Sequence, residues 1–234
     1  MESVLGVFKF LTLYGRFDTA RIKPQQIGKS APLFPLVGLL LGLVLVLLNS
    51  ALEPYLESEI LGVALTAMLI FMTGAIHLEG AQKTFDTLAG GSSSDNKSNG
   101  VYGLVALLLI VLFKVRAAEV VGETRNLSLL LAPVFARWSL VIFFYGSGSA
   151  TDDFARVIAE KVRGWHLLIT TAATLVFAIY LVGRTGLWIG LWLSLLALGI
   201  RTYLHRRHGG ITRNDCGALI ELTETLSFVL FASL

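Results

Sequence analysis

Charge is scarce in this chain: only 15% of its 234 residues are Asp, Glu, Lys or Arg, while 55% are hydrophobic and the mean hydropathy is +0.73. Soluble domains carry roughly 25% charged residues, so an ordinary soluble fold is excluded. Cysteine is almost absent. Cys216, the single thiol, permits no intramolecular disulfide and no thiolate zinc site, and reads as a small interior residue. The sequence also lacks a glycine-rich phosphate loop, a Walker lysine, a nucleophile elbow and an HExxH pair, which removes the common nucleotide-hydrolase, serine-hydrolase and zinc-peptidase chemistries. No repeat of fixed period and no heptad register is present. The net charge of +3 rests on few, scattered bases, so nucleic acid is not an expected partner.

What the sequence does have is long apolar runs. A spanning helix takes roughly 20 residues, and runs at 33–52, 60–76, 101–121, 127–145, 166–183, 186–204 and 216–234 predict an all-α transmembrane bundle. Residues 1–234 then form one integral membrane domain of about seven spans. Lys114 and Arg116 mark the expected end of the third span, and the last span carries Glu221 and Glu224. The opening segment, residues 1–30, begins with an acid, and Lys9 interrupts its apolar spacing, unlike the core of a signal peptide. Leu5, Phe8, Phe10 and Leu11 instead suit an interfacial helix. Lys and Arg accumulate on the cytoplasmic side of membranes. Their placement favours a cell-membrane protein with its N-terminus and the segments 77–100, 146–165 and 201–215 inside, although Lys114, Arg116 and Arg125 fit this less well. The Gly/Ser/Asn-rich stretch within 87–100 predicts a flexible cytoplasmic loop.

Three polar groupings stand where a membrane makes them costly. The first is "HLEGAQKTFD", in which Glu79, Lys83 and Asp86 share a helical face, with His77 nearby. Two carboxylates there can hold a divalent cation that neutralises a phosphate. Equally, Glu79 and Lys83 can form an i,i+4 pair worth ~0.3–0.5 kcal/mol, with Asp86 only closing the helix. The second grouping is "HRRHGGITRNDCGALIELTE". Thr212 or Asp215 can cap the last helix, whose N-terminus with Arg206, Arg207 and Arg213 favours an anion; a lipid-contacting basic cluster is the other reading. Beyond it, Glu221 and Glu224 share a face inside an apolar helix, a placement that usually faces the bundle interior. His205 and His208 alone are a weak metal signal. The third is Arg137, which calls for an anion inside the bundle, either one of those glutamates or a substrate phosphate.

The pieces "FPLVGLLLG", "TGAIHLEG", "YGLVALLL", "ARW" and "GALIELTE", in this order, resemble the cobalamin synthases, or adenosylcobinamide-GDP ribazoletransferases. The resemblance implies a magnesium-dependent membrane transferase. Such an enzyme joins α-ribazole or its 5′-phosphate to adenosylcobinamide-GDP and releases GMP. Its expected partners are those corrinoid and ribazole substrates and the lipid bilayer, and a homo-oligomer is compatible with it. Carried onto this chain, the resemblance assigns Glu79, Asp86 and Asp215 to the metal, with Asn214 as auxiliary ligand. It assigns Lys83, Arg137 and Arg213 to phosphate, and Glu221 and Glu224 to organising the site. His77, Thr212, Asn214, Arg206 and Arg207 are the expected substrate contacts. Members generally read HLDGLADTADG where this chain has Glu79, Lys83 and Asp86, and GGxTGDxLGA where it has "GGITRNDCGA". A catalytically inactive binding or assembly homologue, or a small transporter, is the alternative these departures leave open.

Overall fold

A computed structural model describes residues 2–13, 23–90, 100–147 and 152–233. They form eleven α-helices and, among the described residues, no strand. In chain order these are α1 (Glu2–Leu11), α2 (Pro24–Lys29), α3 (Phe34–Leu52), α4 (Ser58–Thr73), α5 (Ile76–Leu88) and α6 (Val101–Val120). They are followed by α7 (Arg125–Phe144), α8 (Asp153–Lys161), α9 (Gly164–Val182), α10 (Arg184–His208) and α11 (Arg213–Ala232), with 3-10 turns at Ala31–Leu33 and Gly122–Thr124. The all-α bundle expected from the apolar runs is present. Most of the low-complexity stretch within 87–100 lies outside the described residues; its first residues, Thr87 and Leu88, end α5.

Among the described residues, five helical segments are long and apolar enough to cross a membrane: Ala31–Leu52, Val101–Val120, Gly122–Phe144, Gly164–Val182 and Arg184–His208. α4 and α5 together are apolar enough for a sixth, but they meet at 89°, as a broken span or a re-entrant loop would. The expected span at 60–76 therefore does not run straight. Gly74 and Ala75 both adopt left-handed backbone, with φ of 61° and 56°. Only glycine takes that conformation without steric cost, so Ala75 stores local strain where the chain bends from α4 into α5. The seventh expected span, α11, carries Arg213, Asp215, Glu221 and Glu224 and is not apolar enough to count by composition. It runs instead through the bundle centre with α7, and both are largely buried.

Contacts sort the chain into two ends. At one end the Leu13 N–H donates to the Met72 carbonyl, Phe10 packs 5.9 Å from Phe154, the Arg213 N–H donates to Asp152, and Arg201 reaches the Ile142 carbonyl. At the other, Ser58 donates to the Glu119 carbonyl and Asn49 to Asn126. The described parts of the N-terminal segment, of 77–100, of 146–165 and of 201–215 thus share one end, as the alternation of spans requires. The opening helix does more than lie in the interface: Val7, Phe10 and Leu11 are buried in the main core beside Phe34 and Phe135. Around the bundle, Leu108, Leu112 and Phe113 of α6, Leu168 and Val176 of α9, and Trp188, Leu191 and Trp192 of α10 stay exposed. Such a continuous apolar girdle is what hydrocarbon solvates.

The bundle interior corrects the reading of Lys114. α6 continues through Arg116 to Val120, and Lys114, only 1% exposed, does not mark a helix end. Its Nζ donates to Glu221 Oε2 at 2.7 Å and to Glu224 Oε2 at 2.8 Å. Arg137 donates to the other oxygen of Glu224. Two cations and two carboxylates so neutralise one another in a site that excludes water. Each charge would be prohibitively costly there alone.

Candidate functional site

The site forms where α5 crosses the start of α11. Gly80 and Gly217 face each other at this crossing: a Cβ on Gly217 would lie 2.6 Å from the His77 carbonyl oxygen and 3.1 Å from the Gly80 Cα. Only glycine at both positions lets the backbones approach so closely.

That approach brings Thr84 onto the first turn of α11, where Thr212 is the N-cap. The Asp215 Oδ2 accepts from the Thr212 N–H at 2.7 Å and from its hydroxyl at 2.8 Å, and Oδ1 accepts from the Thr84 hydroxyl at 2.9 Å. This is a capping box, with a carboxylate set against the positive end of the helix dipole. Beside it opens a cleft of about 260 Å³ lined by Lys83, Thr84, Thr87, Leu88, Leu204, His208, Thr212, Asn214 and Asp215. Polar groups from α5, α10 and α11 converge in it. His208 Nε2 is buried without a hydrogen-bond partner, so this ring nitrogen is chemically uncommitted. Lys83 sits at the solvent side, its Nζ 2.7 Å from Glu79 Oε1, and about half of each side chain is exposed.

The structure unites Lys83, Thr212, Asn214 and Asp215 of the expected site residues and separates the others. Arg137, Glu221 and Glu224 belong to the interior network, so Arg137 finds its anion in Glu224 and is fully buried. His77 is buried with Nε2 3.4 Å from the Leu11 carbonyl oxygen. Asp86 accepts the Gly103 N–H at 2.7 Å and thereby serves the first turn of α6. Arg213 lies 4.7 Å over the Phe154 ring, and Arg206 and Arg207 are exposed on the last turn of α10 without lining the cleft.

The three carboxylates assigned to a divalent cation therefore point to different partners. Glu79 is held by Lys83, Asp86 by α6, and Asp215 by Thr212 and Thr84. Among the described residues no three His, Cys, Asp or Glu side chains are grouped to hold a metal ion. Divalent cations of this kind need several oxygen donors converging on one point, so this arrangement does not fit a three-carboxylate site. Thr84 and Thr87 were not among the expected site residues, and His208 was weighed only as half of a weak histidine metal pair. A 3.6-residue period puts Thr84 and Thr87 near Lys83, a signal that was there to use. His208 stood within the second polar grouping, but its place in the cleft follows from the turn between α10 and α11, which spacing along one helix does not give.

Comparison with known proteins decides the family. A family model described as cobalamin-5-phosphate synthase matches residues 3–232. The chain belongs to the cobalamin-5-phosphate synthase family. An adenosylcobinamide-GDP ribazoletransferase of Syntrophobacter fumaroxidans is similar to it at 34% identity, covering 93% of this chain and 92% of that one. Proteins of the same name from Pseudomonas paraeruginosa and Pseudomonas putida are each 31% identical, covering 99% and 86% of this chain and 98% and 86% of their own. No solved structure matches. The capped start of α11 and the adjoining faces of α5 and α10 gather Lys83, Asn214, His208 and three threonine hydroxyls around one cleft.

Proposed function

We propose that this chain is an adenosylcobinamide-GDP ribazoletransferase of cobalamin biosynthesis, and that its reaction takes place in the cleft between α5, α10 and α11. The cleft carries this reading: a cation, an amide and three hydroxyls meet at a helix N-terminus, and His208, whose Nε2 has no hydrogen-bond partner among the described residues, lines the same cleft.

A free ribose hydroxyl of α-ribazole, or of its 5′-phosphate, attacks the phosphorus that carries the corrinoid. The bond from that phosphorus to the GMP oxygen breaks. Such displacements need positioning and charge stabilisation more than covalent help. His208 accepts the proton of the attacking hydroxyl, since Asp215 is already committed to Thr212 and Thr84. Lys83 offsets the charge that develops on the departing phosphate, and Asn214 orients it. Asp215 fixes the first turn of α11 and so the geometry of both neighbours. No step is routed through a metal ion, because the described carboxylates do not converge.

We assign the end bearing the cleft to the cytoplasmic face of a cell membrane. Support comes from charge: outside the bundle core, every described Lys and Arg except Arg116, Arg125 and Arg184 lies at that end, whereas Glu53, Glu57, Glu59, Glu119 and Glu123 lie at the other. The N-terminus is then cytoplasmic, as is the substrate supply.

The test is turnover. Purified protein in lipid is given adenosylcobinamide-GDP and α-ribazole, and GMP and cobalamin are measured against a protein-free membrane blank, with the Syntrophobacter relative run alongside. Product above the blank supports the reading. Product from the relative alone removes it.

A further inference from the structure

At the same end of the bundle, away from the cleft, α2, α8 and the start of α9 border an open pocket of about 420 Å³, lined by Lys29, Lys161, Arg163, Trp165 and His166. None of these residues lines the cleft. Three cations from three segments face one concavity, and no carboxylate lines it.

Close packing forces the cations together: a Cβ on Gly28 would lie 2.7 Å from the Lys161 Cβ and 2.5 Å from the Ile158 carbonyl oxygen. α2 is thus pressed against α8, and Lys29 is held beside Lys161. Among the described residues none of Lys29, Lys161 and Arg163 is in an ion pair. Like charges gathered in a concave site repel one another and focus a positive potential, which an anion relieves. The imidazole adds a directed donor. His166 Nδ1 accepts the Arg163 N–H at 3.1 Å, so the neutral ring carries its hydrogen on Nε2. His166 is 3% exposed and its ring is packed 4.0 Å from Trp165. Trp165 itself is half exposed at the first turn of a membrane-spanning helix, the level where tryptophan marks the boundary between hydrocarbon and headgroups. The pocket therefore opens at headgroup depth.

We infer that this pocket binds a phosphate-bearing anion at the membrane surface, held by Lys29, Lys161 and Arg163 with His166 as a further donor. Phosphate is the anion that basic clusters of this kind recognise. Two sources share that chemistry, the phosphodiester of an anionic phospholipid and a soluble phosphate monoester. The site goes beyond the proposed transfer reaction and does not depend on it.

The experiment measures binding to the full-length protein in a zwitterionic detergent, by native mass spectrometry and calorimetry. The probes are dioctanoyl phosphatidylglycerol, dioctanoyl phosphatidylcholine and inorganic phosphate. The wild type is expected to bind phosphatidylglycerol or inorganic phosphate saturably and at least tenfold more tightly than phosphatidylcholine; which of the two saturates names the source. The triple variant Lys29→Gln, Lys161→Gln, Arg163→Gln should lose at least tenfold in affinity for that anion, with phosphatidylcholine binding unchanged. Should the triple variant not fold, the single variants Lys161→Gln and Arg163→Gln, judged folded by their elution and thermal unfolding, should each lose at least threefold. Anion affinity unchanged in the folded variants overturns the inference, as does a wild type that prefers neither anion over phosphatidylcholine.

Discussion

Replacing Lys114 with methionine should destabilise the protein more than any exposed substitution, and a second substitution should undo most of the damage. Lys114 serves both Glu221 and Glu224, whereas Arg137 reaches only Glu224. Methionine keeps the bulk of the lysine stem but strands Glu221 in a dry interior and leaves the network with a net negative charge. Removing one partner of a buried ion pair costs about 3–5 kcal/mol. At roughly 2–4 °C per kcal/mol for a chain of this size, the midpoint should fall by about 6–20 °C, read as thermal unfolding in detergent by near-ultraviolet circular dichroism. Adding Glu221→Gln to the Lys114→Met variant removes the stranded charge and leaves a neutral Arg137–Glu224 pair. More than half of the lost stability should return. A Lys114→Met midpoint within about 2 °C of wild type, or no recovery in the double variant, would refute the charge-balance reasoning.

Other outcomes follow from the cleft and its supports. His208→Gln keeps the shape and removes the proton acceptor, so kcat for GMP release should fall about 100-fold; an unchanged kcat would remove His208 from that role. Gly217→Ala forces a methyl group to within 2.6 Å of the His77 carbonyl oxygen, and should lower both the unfolding midpoint and the turnover by moving α5 off α11. Glu79→Gln should leave turnover within about threefold, because Glu79 steadies Lys83 in a half-exposed pair worth under about 1 kcal/mol. A loss of 100-fold there, seen in steady-state GMP release, would instead point to a metal-ligand role.

Periodicity and hydropathy made much of this architecture legible. All seven apolar runs became helices at close to their expected positions, and the alternation of spans gathered the basic segments at one end. The sequence did not reveal the bend at Gly74–Ala75, because apolar residues flank it and nothing local announces that an alanine will take left-handed backbone. Lys114 was misread for a related reason. A lysine near the end of an apolar run looks like a boundary unless its partners are known, and those partners stand 107 and 110 residues further along the chain. Helical spacing rightly put Glu79 next to Lys83 but could not tell that Asp86 would turn to the first turn of α6. Arg137 illustrates the opposite case. Burial of a guanidinium required an anion, either an intramembrane glutamate or a substrate phosphate, and the structure supplies Glu224.

The central claim is that phosphoryl transfer occurs in the cleft between α5, α10 and α11, with Lys83 facing the reacting phosphate. Its most direct test is kcat/KM for GMP release by Lys83→Met, measured together with the unfolding midpoint. The pair Lys83 makes with Glu79 is half exposed and contributes under about 1 kcal/mol to stability. A loss of at least tenfold in kcat/KM, about 1.4 kcal/mol of transition-state stabilisation, with the midpoint unmoved, is the result expected. Full kcat/KM in the Lys83→Met variant would contradict the account and put the reaction elsewhere on the fold.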